Sequence, residues 1–348
     1  ESISVEVHRI GVAGAGLVGQ RHIDLIRQSA RADLAFVADP SPAAKDIAKC
    51  ADMPCFSNLA EALEAAPADG VVVATPNNLH VENGLECVRA GLPVLIEKPI
   101  ADEAEPSQHL INESAAAGVP ILVGHHRRYN PIVEEVKARI DAGTIGDIVA
   151  LQAACWLYKP DEYFEADWRT RKGAGPVFIN LIHDVDLFRH LVGEVVSVLA
   201  MESNRTRGYE VEDTAAIILD FENGALGTVT VSDTIVAPWS WELTAAENPA
   251  YPATDQTCYQ IGGTFGALEV PTGTAWSQEG KRSWWRPIEA RTHDIESADP
   301  LVRQLDHFCD VIEGRAQPLV SGEEGLKSLR VIEAIKRSVQ TRSVVAVK

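Results

Sequence analysis

A glycine pattern close to the start of the chain limits its possible folds more than any other feature. The pattern G-x-G-x-x-G consists of Gly14, Ala15, Gly16, Leu17, Val18 and Gly19. By itself it is a weak signal, but an apolar strand at 9–13 leads into it, and a helix to about residue 28 and a second strand at 34–38 follow. Strand, glycine turn, helix and strand in this order predict the βαβ unit of a dinucleotide-binding fold.

The three glycines and the end of the second strand suggest how a dinucleotide would be held. Gly14 and Gly16 permit a tight turn and close approach to a pyrophosphate, while Gly19 lets the helix pack on the strand. The helix amino terminus adds free N–H groups and positive partial charge. Asp39 ends the second strand, where a carboxylate accepts hydrogen bonds from a ribose and repels a 2′-phosphate. We therefore predict NAD rather than NADP. The alternative for Asp39 is a turn aspartate before Pro40.

Strand and helix patterns continue to alternate through residue 124. This alternation predicts a doubly wound parallel sheet, which binds its ligands at the carboxyl ends of the strands. Apolar strands at 70–74 and 94–96 are each followed by polar residues. The residues after these strands that we predict to bind the cofactor are Thr75, Pro76, Asn77, His80, Glu97 and Lys98.

Lys98 is the first candidate for a catalytic group. Val94, Leu95 and Ile96 form a continuously apolar run, typical of a strand that is covered on both faces. The Glu97–Lys98 pair then lies at its carboxyl end, and Pro99 restricts Lys98 to extended geometry. A solvated pair of charges at a strand end is the alternative interpretation.

The second part of the chain has a different pattern. Apolar runs at 215–221 and 225–231 flank Asn223-Gly224, a strong hairpin signal, and we expect further strands near 240–245, 257–262 and 265–270. We predict a 1–124 dinucleotide-binding domain and a 125–348 α+β domain with a large, mainly antiparallel open sheet, with the last helices either in the second domain or packed back on the first. Such a sheet leaves one face for a partner.

The second part also carries the candidate substrate residues. We expect one helix across 173–186 in which Asn180 and His183 share a face, because they are three residues apart. His183 titrates near neutrality and can act as a general base or acid. The residues that we expect to contact a substrate are Arg127, Tyr129, Trp168, Arg169, Asn180 and His183. For each of them a solvated or structural role is the alternative.

Charge and cysteine usage exclude several classes of function. The net charge of −19 repels phosphate backbones and anionic membranes, which argues against nucleic-acid or membrane partners. The six cysteines show no C-x-x-C pair and no clustering with histidine, so we expect free thiols and no metal site. No segment is typical of a membrane span or an export signal, and we expect a cytoplasmic protein.

G-x-G-x-x-G, then T-P-N-x-x-H at 75–80, then E-K-P at 97–99 resembles the glucose–fructose oxidoreductase/inositol dehydrogenase (Gfo/Idh/MocA) family. The resemblance implies a Rossmann domain, an α+β substrate domain, and a homodimer or homotetramer formed through the open sheet. It also implies that Lys98 and His183 handle the proton of a substrate hydroxyl. Such proteins typically carry an aspartate four residues before the histidine, and here that position is Ile179.

The leading hypothesis is an NAD-dependent dehydrogenase that acts on a secondary alcohol of a sugar, cyclitol or related polyol. The basic residues between 127 and 172 suggest that the substrate could carry an acidic group. A redox-assisted glycoside lyase or deglycosidase, which oxidises carbon 3 transiently, is the first alternative, and the missing aspartate keeps it open. A non-catalytic dinucleotide-binding regulator is the second alternative.

Overall fold

A computed structural model describes residues 6–348 of the chain. These residues form two compact units. The first unit contains the residues up to His126 together with 301–329, and the second contains 127–300 and 330–348.

The first unit is built on a six-stranded parallel sheet with the order β3-β2-β1-β4-β5-β6. Its strands are β1 (His8–Ala13), β2 (Ala32–Ala38), β3 (Cys55–Phe56), β4 (Gly70–Val73), β5 (Val94–Ile96) and β6 (Ile121–Val123). The strand order reverses between β1 and β4, which is the switch point at which a doubly wound sheet binds its ligand. The predicted fold class of this unit is confirmed.

Helices connect these strands. They are α1 (Leu17–Gln28), α2 (Pro42–Cys50), α3 (Leu59–Ala65), α4 (His80–Arg89) and α5 (Ala104–Ala117). Ser41 caps α2 by accepting a hydrogen bond from the Ala44 N–H, and Pro42 occupies the first turn, where its missing N–H costs nothing. The side chains of β4 and β5 are fully buried because helices cover both faces of the sheet, which explains their uninterrupted apolar sequence.

The second unit contains a nine-stranded sheet with the order β14-β13-β12-β11-β7-β10-β9-β8-β15. Its strands are β7 (Ile148–Trp156), β8 (Val195–Ser203), β9 (Thr214–Phe221), β10 (Leu226–Ser232), β11 (Tyr259–Gly263), β12 (Gly266–Val270), β13 (Ala275–Ser277), β14 (Glu289–Arg291) and β15 (Val345–Ala346). Among the described strands of this second sheet only the β7–β10 pair is parallel, which confirms the mainly antiparallel sheet. Gly224 turns the β9–β10 hairpin with a φ of 86°.

The helices that lie wholly in the second unit are α6 (Pro131–Asp141), α7 (Pro176–Ile179), α8 (Leu181–Leu191) and α9 (Trp241–Thr244). Of the two helices that follow, α10 (Pro300–Ile312) belongs to the first unit from residue 301 onward, and α11 (Gly322–Thr341) begins in the first unit and ends in the second. One face of the sheet packs on α8, where the rings of Phe188 and Tyr259 meet edge to face at 5.1 Å. Along β9, Ala215, Ile217 and Leu219 are buried while Ile218 is 48% exposed. The alternation gives the sheet one covered face and one open face.

Two elements differ from the predictions. The expected strand at 240–245 is the short helix α9, because Ser240 accepts a hydrogen bond from the Leu243 N–H and caps a helical turn. The single helix expected across 173–186 is two helices that meet at Asn180. No helix among residues 6–348 combines the length and apolar character that a bilayer crossing requires.

Candidate functional site

The glycine turn lies between β1 and α1 and is shaped for a ligand. Gly14 has a φ of 88°, and a Cβ there would lie 2.4 Å from the Ala74 carbonyl oxygen. A Cβ on Gly19 would lie 1.9 Å from the Gly14 oxygen, so both positions exclude any side chain. A Cβ on Gly16 would meet no atom within 4 Å, so open space adjoins the amino terminus of α1. A pyrophosphate fits this opening.

Other residues of the turn divide between the interior and the surface. Ala15 is buried, whereas Leu17 and Val18 are exposed at the start of α1. Their backbone N–H groups belong to the first helical turn, which has no intrahelical partners for them. We therefore expect Leu17 and Val18 to contact a dinucleotide through the backbone; the Ala15 N–H donates to Asp39, and a cofactor contact of Ala15 stays a prediction.

Asp39 follows β2 and is tied to the glycine turn. Its Oδ2 accepts a hydrogen bond from the Ala15 N–H at 2.8 Å, and its Oδ1 accepts one from the Ser41 N–H at 2.7 Å. Burial raises the pKa of Asp39, but the hydrogen bonds from Ser41 and Ala15 outweigh burial and lower it below its usual value. Asp39 therefore stabilises the turn before α2, as the alternative interpretation predicts, and it also places a negative charge beside the glycine turn.

The loop after β4 carries Thr75, Pro76 and Asn77, which are half-buried or exposed at the same edge of the sheet. His80 is different, because its ring is buried. Its Nε2 lies 2.8 Å from the Thr75 carbonyl oxygen and its Nδ1 lies 2.8 Å from the Pro99 carbonyl oxygen. Both ring nitrogens face the backbone, and the ring connects two loops of the sheet edge, while a cofactor contact of His80 stays a prediction.

Glu97 is also used inside the protein. Its Oε1 lies 2.6 Å from the Nε2 of His22 on α1, and its Oε2 accepts a hydrogen bond from the Lys98 N–H at 3.2 Å. Burial would raise the pKa of Glu97, but the hydrogen bond and charge of His22 and the charges of His126 and Lys98 lower it to about 2. The buried carboxylate fixes the backbone of Lys98, and a cofactor contact of Glu97 stays a prediction.

Lys98 follows β5 in a segment that neighbouring groups hold in place. Its side chain is half-buried, and the Lys98–Pro99 peptide bond is cis. The glycine turn, Asp39, the Thr75 loop and Lys98 follow β1, β2, β4 and β5 respectively, so all lie at the carboxyl edge of one parallel sheet. This edge brings together the cofactor candidates of the first unit and its catalytic candidate.

His183 lies in the first turn of α8, and its N–H donates to the Asn180 carbonyl oxygen at 3.1 Å. Because α7 and α8 meet at Asn180, the shared helix face predicted for Asn180 and His183 does not exist as such. Asn180 instead occupies the junction, with its Oδ1 buried and without a hydrogen-bond partner among the described residues. Ile179, the last residue of α7, places a half-buried apolar side chain where the family resemblance led us to expect an aspartate.

Arg127 and Tyr129 are both buried at the start of the second unit. The Arg127 guanidinium is buried and forms ion pairs with Asp184 at 3.2 Å and Glu242 at 2.8 Å. Burial lowers the pKa of Arg127, but these carboxylates raise it well above its usual value, so its charge is already balanced within the unit. Tyr129 is buried, and burial raises the pKa of its hydroxyl. The buried ion pairs of Arg127 stabilise the second unit, and a substrate contact of Arg127 or Tyr129 stays a prediction.

Asp184 is a site residue that sequence reasoning missed. It adjoins His183, is buried, and accepts hydrogen bonds from Arg127 and from the Tyr259 hydroxyl. Burial raises the pKa of Asp184 to about 6, with Arg127 opposing and Glu242 reinforcing the shift. A carboxyl group that titrates this close to neutrality is typical of functional sites. The available signal was an acidic residue directly beside His183.

Trp168 and Arg169 lie in a 3₁₀ turn, Asp167–Thr170, before α7. Trp168 is 58% exposed. The Arg169 guanidinium stacks 4.1 Å from the centroid of the Tyr163 ring, and its Nη1 donates to the Tyr163 carbonyl oxygen at 2.7 Å. These two residues keep the surface position that a substrate contact requires.

Comparisons with known proteins agree with this geometry. Residues 8–125 match a family model described as an oxidoreductase family with an NAD-binding Rossmann fold, and residues 133–269 match the GFO/IDH/MocA C-terminal domain. An inositol 2-dehydrogenase of Rhizobium meliloti is 29% identical over 97% of this chain and 99% of the relative. The NADP-linked scyllo-inositol 2-dehydrogenase IolW of Bacillus subtilis is 28% identical over 77% of this chain and 76% of the relative.

Solved structures show the same likeness. The WlbA dehydrogenase from Bordetella pertussis, in complex with NADH and UDP-GlcNAcA, is 28% identical with a TM-score of 0.79 and 99% coverage of both chains. An oxidoreductase from Agrobacterium radiobacter, in complex with NAD+, L-tartaric acid and magnesium, is 18% identical with a TM-score of 0.82 over 98% of both chains. The second likeness concerns the fold alone.

Proposed function

The chain belongs to the Gfo/Idh/MocA family of oxidoreductases and is a dehydrogenase of CH–OH groups, and we propose that it oxidises a secondary alcohol of a sugar, cyclitol or related polyol with NAD. The observation that carries this proposal is the shared sheet edge of the glycine turn, Asp39 and Lys98. At this edge, the glycine turn after β1 leaves an opening for a pyrophosphate, and the ammonium of Lys98 follows β5 of the same sheet.

The preference for NAD over NADP is part of the proposal and depends on Asp39. The carboxylate is fixed by two backbone N–H groups, and its lowered pKa keeps it ionised at neutral pH. A ribose 2′-hydroxyl can donate to its remaining lone pairs, whereas a 2′-phosphate would place a second negative charge beside it. The fixed carboxylate of Asp39 therefore supports a preference for NAD over NADP.

The proposed chemistry assigns one task to each unit of the chain. A bound nicotinamide accepts the hydride in oxidation and supplies it in reduction. We assign the ammonium of Lys98 to stabilise the developing alkoxide of the substrate, and Glu97 and His80 to hold the Lys98–Pro99 segment through its backbone. We assign His183 to take the hydroxyl proton in oxidation and to return it in reduction.

A redox-assisted glycoside lyase or deglycosidase is the second candidate function. The observation that favours it is Ile179, because an apolar side chain in this position changes the proton transfer that the family uses. Release of an aglycone from a glycoside without net formation of NADH would identify this activity. Net NADH formation from a free polyol would identify the dehydrogenase.

The decisive experiment is a panel of polyols, aldonates and glycosides incubated with NAD or NADP, with the absorbance of reduced nicotinamide as the readout. We expect turnover of at least one polyol or aldonate with NAD. Absence of turnover across the panel with both cofactors would contradict the proposed substrate class.

We also propose that the open face of the nine-stranded sheet pairs with a second copy of the chain. A cavity of about 710 Å³ lies on the second unit, and none of the described residues that line it is charged. Met201 and Ile218 project from this face with 77% and 48% of their surfaces exposed. An exposed apolar surface of this kind usually marks an interface. The mass in solution of Met201→Lys, compared with the wild type, tests the pairing, and an unchanged mass would contradict it.

The proposal includes a reducing, cytoplasmic location. Cys87, Cys155, Cys258 and Cys309 are buried free thiols, as is usual in a compartment that keeps cysteines reduced.

A further inference from the structure

Lys159, in the segment after β7, has a buried ammonium group without a hydrogen bond. The residue is 6% exposed, and its Nζ has no hydrogen-bond partner among the described residues. The nearest carboxylate oxygen, Oδ2 of Asp233, lies 3.9 Å away. An ammonium has three donors, and burying them unsatisfied costs free energy. Such a group in a native structure calls for an explanation.

Asp233 does not supply that explanation, because Arg207 already uses it. The Arg207 Nε donates to Oδ1 of Asp233 at 2.8 Å, and its Nη2 donates to the Asp233 carbonyl oxygen at 2.6 Å. Two buried cations therefore share one buried carboxylate. Asp161, at 3.7 Å from Arg207, has a side chain that is 91% exposed, so solvent screens its charge. The Lys159 ammonium therefore lies near Asp233 and Glu242 without a hydrogen bond to either, and its three donors remain unused.

A second cation converges on the same place. The Lys159 Nζ lies 4.8 Å from the centroid of the Tyr163 ring, and the Arg169 guanidinium carbon lies 4.1 Å from it. The Nε of Arg169 is buried without a hydrogen-bond partner, and the side chain forms no ion pair within residues 6–348. Two cations with unused donors thus contact one half-buried aromatic ring.

We propose that Lys159 and Arg169 form a subsite for the carboxylate of the substrate, with the Tyr163 ring as its wall. This assignment rests on the proposed function and narrows its substrate class to sugar acids and polyol acids. A carboxylate has two oxygens that accept charge-assisted hydrogen bonds from an ammonium and a guanidinium. A dianionic phosphate is disfavoured, because Asp233 lies close to Lys159 and would repel the second charge.

A binding role and a structural role of Lys159 predict opposite effects on stability. A structural ammonium would destabilise the fold when removed, because Asp233 would lose a partner. A ligand-binding ammonium is buried at a cost in the ligand-free protein, so its replacement by an apolar side chain leaves the Tm unchanged or raises it. Burial lowers the pKa of Lys159, opposed by Asp233 and Glu242 and reinforced by Arg207. The preference for acids should therefore weaken as pH rises, and at a lower pH than an exposed lysine would lose its proton.

The test compares acids with matched neutral compounds: glucuronate with glucose, and gluconate with glucitol. We expect the wild type to prefer the acids in kcat/KM with NAD. Lys159→Met should lower the ratio of acid to neutral kcat/KM by about 10- to 100-fold, the loss expected for hydrogen bonds to a charged group. Arg169→Gln should lower it less. Arg171→Gln is the matched control, because Arg171 is an exposed arginine two residues from Arg169.

Calorimetric titration of gluconate and glucuronate into the protein with bound NADH separates this proposal from the proposed function. Binding by the wild type that Lys159→Met loses, with an unchanged or higher Tm, supports the subsite even when no compound is turned over. Equal acid binding by both proteins, no acid binding by the wild type, or a stronger preference for glucose 6-phosphate than for glucuronate would overturn it. Turnover of neutral polyols with an unchanged ratio would refute the subsite alone and leave the proposed function standing.

Discussion

The two units hold their buried charges in different ways. In the first unit, Glu97 is stabilised at a strand end by His22 and by the N–H of the next residue, and its pKa is lowered to about 2. In the second unit, Asp184 shares Arg127 with Glu242, and burial raises its pKa to about 6. The first arrangement favours the carboxylate. The second leaves two carboxylates with one guanidinium, which keeps a proton available near neutral pH.

Both carboxylates depend on a side chain that is distant in the sequence, but Glu97 also accepts a hydrogen bond from a backbone N–H, whereas Asp184 shares Arg127 with Glu242. The partners of Arg127 lie 57 and 115 residues away in the sequence. Removing one member of such a buried network leaves the others unpaired in a medium of low dielectric constant.

The largest effect is expected for Arg127→Met. Loss of the guanidinium leaves Asp184 and Glu242 buried without a counter-charge, which should lower the free energy of unfolding of the second unit by about 3–5 kcal/mol. All seven tryptophans lie in this unit, so Trp fluorescence during urea unfolding reports on it alone.

Two control variants sharpen this prediction. Arg171→Gln removes an exposed arginine and should leave the fluorescence transition in place. Replacing Arg127, Asp184 and Glu242 together by apolar residues should recover much of the loss, because no unpaired charge remains. A transition that Arg127→Met does not move would mean that the network does not support the second unit.

The next effect concerns acid and the first unit. The pKa of Glu97 is below that of an unfolded glutamate, so its contribution is fully present above about pH 4.5 and is lost as pH falls towards 2. The linked free energy is at most about 3 kcal/mol. His22→Gln removes the charge that lowers this pKa and should flatten the acid dependence. The measurement is the melting of the first unit as a function of pH, taken as the circular dichroism change that Trp fluorescence does not follow. An equally steep dependence of its Tm on pH in the wild type and in His22→Gln would argue against the His22–Glu97 pair.

A smaller effect is expected for Asp39→Asn. Removing one negative charge beside the adenosine ribose should shift the ratio of NADP to NAD kcat/KM towards NADP by about tenfold, roughly 1.4 kcal/mol. Asp33→Asn is the control, because Asp33 is an exposed aspartate at the other end of the same strand. A wild-type enzyme that already prefers NADP tenfold would show that Asp39 does not select the cofactor.

The sequence predicted the first unit better than the second for a physical reason. The strand, glycine turn and helix around Gly14, and the polar residues after β4 and β5, follow from local patterns that a parallel sheet places at one edge. The sequence predicted that His80 and Glu97 lie at this edge but did not predict their hydrogen bonds, because a hydrogen bond to a group distant in the sequence leaves no periodic signal. Arg127, Asp184 and Lys159 depend on long-range partners, and a linear pattern cannot distinguish a buried cation from a solvated one.

The central claim is that Lys98 acts in substrate chemistry at the cofactor edge of a CH–OH dehydrogenase. The most direct test measures kcat/KM for a substrate from the panel, and the Kd of NADH, for the wild type, Lys98→Ala and the exposed control Lys45→Ala. We predict that Lys98→Ala binds NADH nearly as well as the wild type but loses about a thousandfold in kcat/KM, the loss typical of a group that stabilises a transition state. Lys45→Ala should match the wild type. Full turnover by Lys98→Ala would contradict the account.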